Sequence, residues 1–272
     1  IYLESSMDLS DLEKQNILET ANNMADAARP IALSYFRTKS QEIENKLIKG
    51  FDPVTVADKE IELIFRKILS EQRPGDGVIG EEFPKTPSQS GITWILDPID
   101  GTRGFISGAP TWGMLIGVND GLKTIFGVID QPYTEERFIG GFGHSTLQTK
   151  DKISDINVRE CSNLEDAILF STMPDVGNQS ETELFNNVAE KCKLTRFGLD
   201  CYAYALLAMG QIDLVIEADL NIYDIQGPLA VVEAAGGVVT NWHGGPVDEG
   251  GQVIAAGDPK IHAAAIKLLN NL

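Results

Sequence analysis

The sequence predicts a mixed fold in two parts, α+β over residues 7–143 and α/β over residues 144–272. Two observations carry this expectation. In the first part, two amphipathic helical segments precede short apolar runs punctuated by Gly and Pro, the pattern of a sheet with tight connections. In the second, short apolar runs alternate with helical segments, the pattern of an α/β unit.

Residues 8–36 place Leu12, Ile17, Leu18, Ala21, Met24, Ala25 and Ala28 at near-helical spacing, with Pro30 as an expected kink. Residues 43–48 alternate like a strand. Asp52-Pro53 then breaks the chain before a second helix expected over residues 55–72, which puts Asp58 in its first turn. Apolar runs at 77–80, 93–96, 114–119 and 124–129 read as strands. Beyond residue 152, strands are expected at 167–171, 194–197, 212–217 and 238–240, alternating with helices at 181–191, 202–209 and 225–235. The glycine-rich stretch 140–144 marks the joint between the parts, without the composition of a long flexible linker.

With 272 residues and 43% hydrophobic content, the chain can bury one large core or two medium ones. No stretch approaches the roughly 18 to 20 apolar residues of a membrane span, and no signal-peptide pattern stands at the start, so a soluble, cytoplasmic protein is expected. Residues 1–6, ahead of Met7, are left out of the fold argument. Cys161, Cys192 and Cys201 lack C-x-x-C spacing and are odd in number, which fits a reducing compartment. A formal charge of -18 disfavours nucleic acid and anionic membranes as partners. It also means that any phosphorylated ligand must be met by cations held between it and the protein.

The string Trp94-Ile95-Leu96-Asp97-Pro98-Ile99-Asp100-Gly101-Thr102 delivers two aspartates from an apolar strand into a turn. Buried carboxylates are costly unless paired or ligated, and hard oxygen ligands of this kind suit Mg2+. The alternative is a polar turn with Asp97 as a helix cap. Gly80-Glu81-Glu82 ends another short strand, and Asp224 opens an apolar helix. Each has an ordinary alternative, a solvated turn for the glutamates and an N-terminal cap for Asp224.

Together, D-P-V-T-x-A-D at 52–58, G-E-E at 80–82, W-x-L-D-P-I-D-G-T at 94–102 and Y-D…E-A-A-G-G at 223–237 resemble the inositol monophosphatase superfamily, in order and over most of the chain. The resemblance implies a layered αβαβα sandwich, commonly a homodimer, that hydrolyses small phosphorylated metabolites. It implies metal ligation by Glu81, Asp97, the Ile99 carbonyl, Asp100 and Asp224, with Asp97 shared between ions and Glu81 also serving catalysis. Asp58 and Thr102 would orient and deprotonate the attacking water, and the Gly101 and Thr102 N–H groups would cradle phosphate. Up to three Mg2+ per subunit would supply +6 against the -5 of Asp58, Glu81, Asp97, Asp100 and Asp224. Such ions lower the pKa of bound water and clamp the attacking and leaving oxygens. His144, His243 and His262 fall outside the motifs, and no G-x-S-x-G is present.

Within the superfamily, G-T-R-G-F-I-S-G at 101–108, D-C-Y-A-Y-A-L-L at 200–207 and A-A-G-D at 255–258 lean toward the histidinol-phosphatase branch of histidine biosynthesis. Inositol monophosphatases usually read G-T-x-N-F, with a small or hydroxyl residue where Asp200 stands. Histidinol carries an amine and an imidazole, for which Asp200 and Glu217 are the expected acceptors. Alternatively, Asp200 is the N-cap of the helix at 202–209. Arg103 either contacts phosphate or solvates its turn. Tyr202 and Tyr204 are core or cleft-wall residues, and Gln226-Gly227-Pro228 is expected to interrupt the helix after Asp224. Rival activities are inositol or broad sugar-phosphate hydrolysis, nucleotide 3'-phosphate hydrolysis, or metal-dependent regulation without catalysis, against which the Asp58–Thr102 pair argues.

Overall fold

The computed structural model describes residues 8–38, 43–45, 53–247 and 249–271. Residues 1–6, 46–48 and Asp52 of the sequence reading lie outside the described residues.

Helix α1 (Asp11–Tyr35) starts at Ser10, whose hydroxyl accepts the Glu13 N–H, and continues through Pro30 as one helix. Strands β1 (Ile43–Asn45) and β2 (Pro53–Thr55) form a small antiparallel pair. Helix α2 (Val56–Gln72) opens on a capping box in which the Asp58 carboxylate takes the Thr55 N–H. Then come β3 (Gly77–Gly80), β4 (Thr93–Asp100), α3 (Thr102–Ser107), β5 (Gly113–Asn119), β6 (Thr124–Gln131), β7 (Glu136–Gly141), β8 (His144–Gln148) and β9 (Ile153–Asp155). The second part supplies β10 (Ile168–Ser171), α4 (Gln179–Ala189), β11 (Leu194–Phe197), α5 (Cys201–Ala208), β12 (Leu214–Leu220), α6 (Ile222–Ala234), β13 (Val238–Thr240), β14 (Gly251–Ala256) and α7 (Pro259–Leu269).

Strands β3 to β9 make one seven-stranded sheet in sequence order, parallel between β3 and β4 and antiparallel thereafter. The stretch 140–144, read from sequence as a joint, is the β7–β8 hairpin, and the first sheet runs on to Asp155. The second sheet has the order β11-β10-β12-β14-β13. Helices α1 and α2 cover one face of the first sheet, with Ile17, Met24, Ile61 and Phe65 packed against Trp94, Leu96, Met114 and Ile116. Helices α5 and α6 lie between the sheets, where Leu115, Ile129 and Phe138 of the first sheet share a core with Val215, Val253 and Ala255 of the second. Helices α4 and α7 close the far face around Phe185, Leu214, Ile254 and Ile261. The result is a five-layer αβαβα sandwich. Central strands are apolar on both faces because helices cover both.

The structure corrects two local expectations. Gln226-Gly227-Pro228 does not interrupt a helix, because α6 runs unbroken from Ile222 through Pro228 to Ala234. The reason lies in the sheet below: a Cβ on Gly227 would sit 3.0 Å from the Val128 carbonyl and 3.1 Å from that of Ile116. Only a glycine lets the helix lie this close to β5 and β6. The second correction concerns Asp200. It stands at the N-cap position of α5, but its side chain makes no capping hydrogen bond. The Tyr202 and Ala203 N–H groups go to the Leu199 and Asp200 carbonyls, and the Asp100 carboxylate accepts the Cys201 N–H at 2.6 Å.

Candidate active site

The acids gather where β3, β4 and β12 end and α3, α5 and α6 begin. In a regular strand, residues three apart face opposite sides. Asp97 and Asp100 nevertheless converge, since the β4–β5 register shifts between them. Pro98, which has no N–H to donate, sits inside this irregularity. The local backbone then folds on itself: Ile99 donates its N–H to Asp97 Oδ1 at 3.0 Å, and the Thr102 hydroxyl donates to the Ile99 carbonyl at 3.0 Å. Asp224 arrives from the first turn of α6, where it takes the Asn221 N–H at 2.7 Å.

The ligating oxygens of Asp97, Asp100 and Asp224 lie within 4.8 Å of one another. A second group at the same separation comprises Asp58, Glu81 and Glu82. Sequence reasoning did not assign Glu82 to the site. Asp97 is 2% exposed, and its carboxyl is pushed well above the ordinary range, first by burial and then by Glu81, Asp100, Asp224 and Asp58. Asp100 is raised by burial and by Asp200 and Asp224. Asp58 is pushed up to about 6 by burial, against the lowering effect of the Thr55 hydrogen bonds. Carboxylates buried this close together stay ionised only when positive charge is supplied among them, and an all-oxygen donor set fits a hard divalent cation. The residues present therefore fit a metal centre.

Residues outside the motifs hold this arrangement. Glu62, fully buried on α2, accepts the Glu82 N–H at 2.7 Å and the Phe83 N–H at 3.3 Å, while Arg66 ion-pairs with it at 2.8 Å. That fixes the turn carrying Glu81 and Glu82. A Glu one helical turn before an Arg reads as an ordinary i,i+4 surface pair, so Glu62 was not legible in the sequence.

The cleft of about 410 Å³ along this cluster is bounded by Glu81, Asp97, Asp100, Asp200, Glu217 and Asp224, with Gly101, Thr102 and Arg103 on one wall. All the residues expected to bind metal or substrate thus border it, whereas Asp58 and Glu82 do not line it but meet it through Glu81. Glu217 accepts the Thr172 N–H at 2.7 Å and the Ser171 hydroxyl at 3.1 Å, yet burial still pushes it up to about 7. Asp200 is pushed up to about 6 by burial, offset in part by Arg103. Tyr204 is packed in the inter-sheet core and Tyr202 donates to Glu136 at 2.8 Å, so neither borders the cleft. His144, His243 and His262 are also outside it.

A family profile described as "Inositol monophosphatase family" matches residues 13–272. The chain belongs to the inositol monophosphatase family. It is 37% identical to a chloroplastic bifunctional phosphatase of Arabidopsis thaliana over 98% of this chain and 78% of that protein. A histidinol-phosphatase of Mycobacterium tuberculosis is 31% identical over 91% of this chain and 95% of its own length. An inositol-1-monophosphatase of Mesorhizobium japonicum is also 31% identical, over 90% and 94%. Among solved structures, an inositol monophosphatase from Zymomonas mobilis superposes with a TM-score of 0.83 at 34% identity, covering 96% of this chain and all of that one. Family membership places the chain among phosphatases, and no helix of the described residues is long and apolar enough to cross a membrane.

Proposed function

We propose that this family member is a Mg2+-dependent phosphatase that hydrolyses histidinol phosphate to histidinol and phosphate. The observation carrying this reading is that two further acids, the half-buried Asp200 and the buried Glu217, border the same cleft as the carboxylate cluster. A cationic group entering there restores their ionised state, whereas a polyol hydroxyl brings no charge. The histidinol-phosphatase name of a relative matched over most of both chains agrees with it.

In this reading Glu81, Asp97, the Ile99 carbonyl, Asp100 and Asp224 hold Mg2+, up to three ions per subunit. When bound, the ions supply the positive charge that admits phosphate and acidifies water. The chain's own groups do the rest. The Asp58 carboxylate, oriented by Thr55, takes a proton from the attacking water, with the Thr102 hydroxyl beside the reacting face. The Gly101 and Thr102 N–H groups and Arg103 hold the phosphate oxygens. Asp200 and Glu217 accept from the amine and imidazole of the leaving alcohol. The same reading extends to a homodimer in the cytoplasm, on the resemblance and the three free cysteines.

The test is kcat/KM for histidinol phosphate beside inositol 1-phosphate at saturating Mg2+. A preference for the former of at least about tenfold is expected, worth about 1.4 kcal/mol. Equal or reversed preference overturns the substrate assignment in favour of inositol phosphate, the activity named for another relative at 31% identity. EDTA should abolish turnover, Mg2+ restore it and Li+ inhibit it, and full activity in metal-free buffer overturns the metal assignment.

A further inference from the structure

We infer that Gly104 and Asp200 act as one specificity element: the absence of any side chain larger than a methyl group at 104 is what leaves the Asp200 carboxylate open to the cleft. This rests on the substrate role proposed for Asp200 above, and adds to it a residue with no functional atoms of its own.

Asp200 is held in an unusual way. Its backbone lies at φ 49°, ψ -136°, a conformation that costs a non-glycine residue about 1 to 3 kcal/mol. An aspartate at a helix N-cap ordinarily recovers such cost by capping with its own carboxylate. Here it does not: the Tyr202 and Ala203 N–H groups that a capping side chain would take go to the Leu199 and Asp200 carbonyls, and the Cys201 N–H goes to the Asp100 carboxylate. The carboxylate is turned instead onto the start of α3. A Cβ on Gly101 would lie 2.9 Å from Asp200 Cγ and 3.0 Å from its Oδ2, closer than real Cβ contacts allow. Gly101 is required in any case by its own φ of 78°.

Gly104 is different, because it sits inside α3 with no positive φ to demand a glycine. A Cβ there would touch Thr111 Oγ1 at 3.6 Å, Asp200 Oδ2 at 3.7 Å and Ala109 Cβ at 3.8 Å. These are ordinary contact distances, so a methyl group just fits. A longer side chain starts from a Cβ already in contact with Thr111, Ala109 and the Asp200 carboxylate. Glycine is also a poor helix former, costing about 1 kcal/mol relative to alanine. Local propensity therefore does not explain the residue, and the space beside Asp200 accounts for the lack of any side chain larger than a methyl group. The ligand this arrangement suits is a phosphate ester whose alcohol ends in an amine or another cation, placed to donate to Asp200. A side chain larger than a methyl group at 104 covers or displaces that acceptor and leaves a cleft indifferent to the charge of the alcohol.

The experiment measures the ratio of kcat/KM for histidinol phosphate to that for inositol 1-phosphate in the full chain with Mg2+, together with the calorimetric affinity for histidinol itself. The variants are Gly104→Ala, Gly104→Leu and Gly104→Asn, each alone and combined with Asp200→Asn. Gly104→Ala should change the ratio by less than about threefold. Gly104→Leu should lower it about ten- to hundredfold, the scale of a lost charge-assisted contact, mainly through KM and with a parallel loss of histidinol affinity. Adding Asp200→Asn to Gly104→Leu should lower the ratio by less than about threefold more, because the contact is already gone. Gly104→Asn is a second filling variant should the leucine lower Tm. A wild-type ratio near one overturns the substrate reading and this inference with it. A wild-type preference that survives both filling variants, or losses that multiply when combined with Asp200→Asn, overturns the inference alone.

Discussion

Replacing Asp97 by Asn should make the metal-free protein more stable and the metal-loaded enzyme inactive. The Asp97 carboxyl is 2% exposed and lies within 4.8 Å of both Asp100 and Asp224 at its ligating oxygen. At that separation, and with an effective dielectric near 20, one ionised pair repels by about 3 kcal/mol. The acids share protons, so the relief on deleting one charge is smaller, about 1 to 3 kcal/mol. The sign follows from the raised carboxyl: an acid that ionises with more difficulty in the folded state costs stability above its unfolded pKa, and the cost grows as pH rises toward the folded value. Asn cannot ionise and escapes that cost, while its side-chain oxygen still accepts the Ile99 N–H. In EDTA at pH 7.5 the urea midpoint of Asp97→Asn should therefore exceed that of the wild type. At Mg2+ one hundred times its Kd the wild type should gain about 2.7 kcal/mol, and the variant far less, closing or reversing the gap. Turnover should fall at least about a hundredfold, or 2.7 kcal/mol of barrier. A variant less stable than the wild type in EDTA, or an equal Mg2+ gain in both proteins, refutes the account of these carboxylates as a repulsive cluster awaiting cations.

Three other expectations follow from particular contacts. Glu217 is raised from 4.5 to about 7, so its penalty appears as pH rises from about 4.5 to 7 and persists above; the stability gained in EDTA by Glu217→Gln should climb over that window to about 3 kcal/mol, and a pH-independent difference contradicts this. Glu62→Gln must turn its amide NH2 toward Glu82 N–H or toward Phe83 N–H and Arg66, so the turn bearing Glu81 should loosen and calorimetric Mg2+ affinity weaken severalfold; unchanged affinity with lowered Tm would assign Glu62 to stability alone. Asp130, fully buried between Arg29 at 2.8 Å and Arg137 at 2.6 Å, should cost about 3 to 5 kcal/mol when replaced by Ala, since both guanidinium groups lose their shared partner. A loss below about 1 kcal/mol in urea unfolding would show that the arginines find other acceptors.

Much of this protein was legible from sequence because its signals are local. Helix α2 with Asp58 in its first turn, strands β11 and β13 at their full extents, and the apolar run of β4 ending in Asp97 and Asp100 depend on periodicity and caps that act within a few residues. The four ordered motifs led to the family and its layered fold, and the structure gathers the expected acids from β3, β4, α6, α5 and β12 along one cleft. Other features depended on neighbours distant in the chain. Gln226-Gly227-Pro228 looks like a break in isolation, yet α6 passes through it because β5 and β6 press against Gly227. Asp200 looks like an N-cap by its position, but the Tyr202 and Ala203 N–H groups go to the Leu199 and Asp200 carbonyls, Asp100, about a hundred residues earlier, takes the Cys201 N–H, and the Asp200 carboxylate is left to the cleft. Glu62 and Glu82 carry no motif of their own, and only the packing of α2 against the end of β3 brings one to the turn and the other beside Asp58. Sequence periodicity reports which face a residue presents, since that is set by the backbone next to it. Which group meets it across the fold is decided by packing between elements, where a missing Cβ or a borrowed hydrogen bond outweighs the local preference.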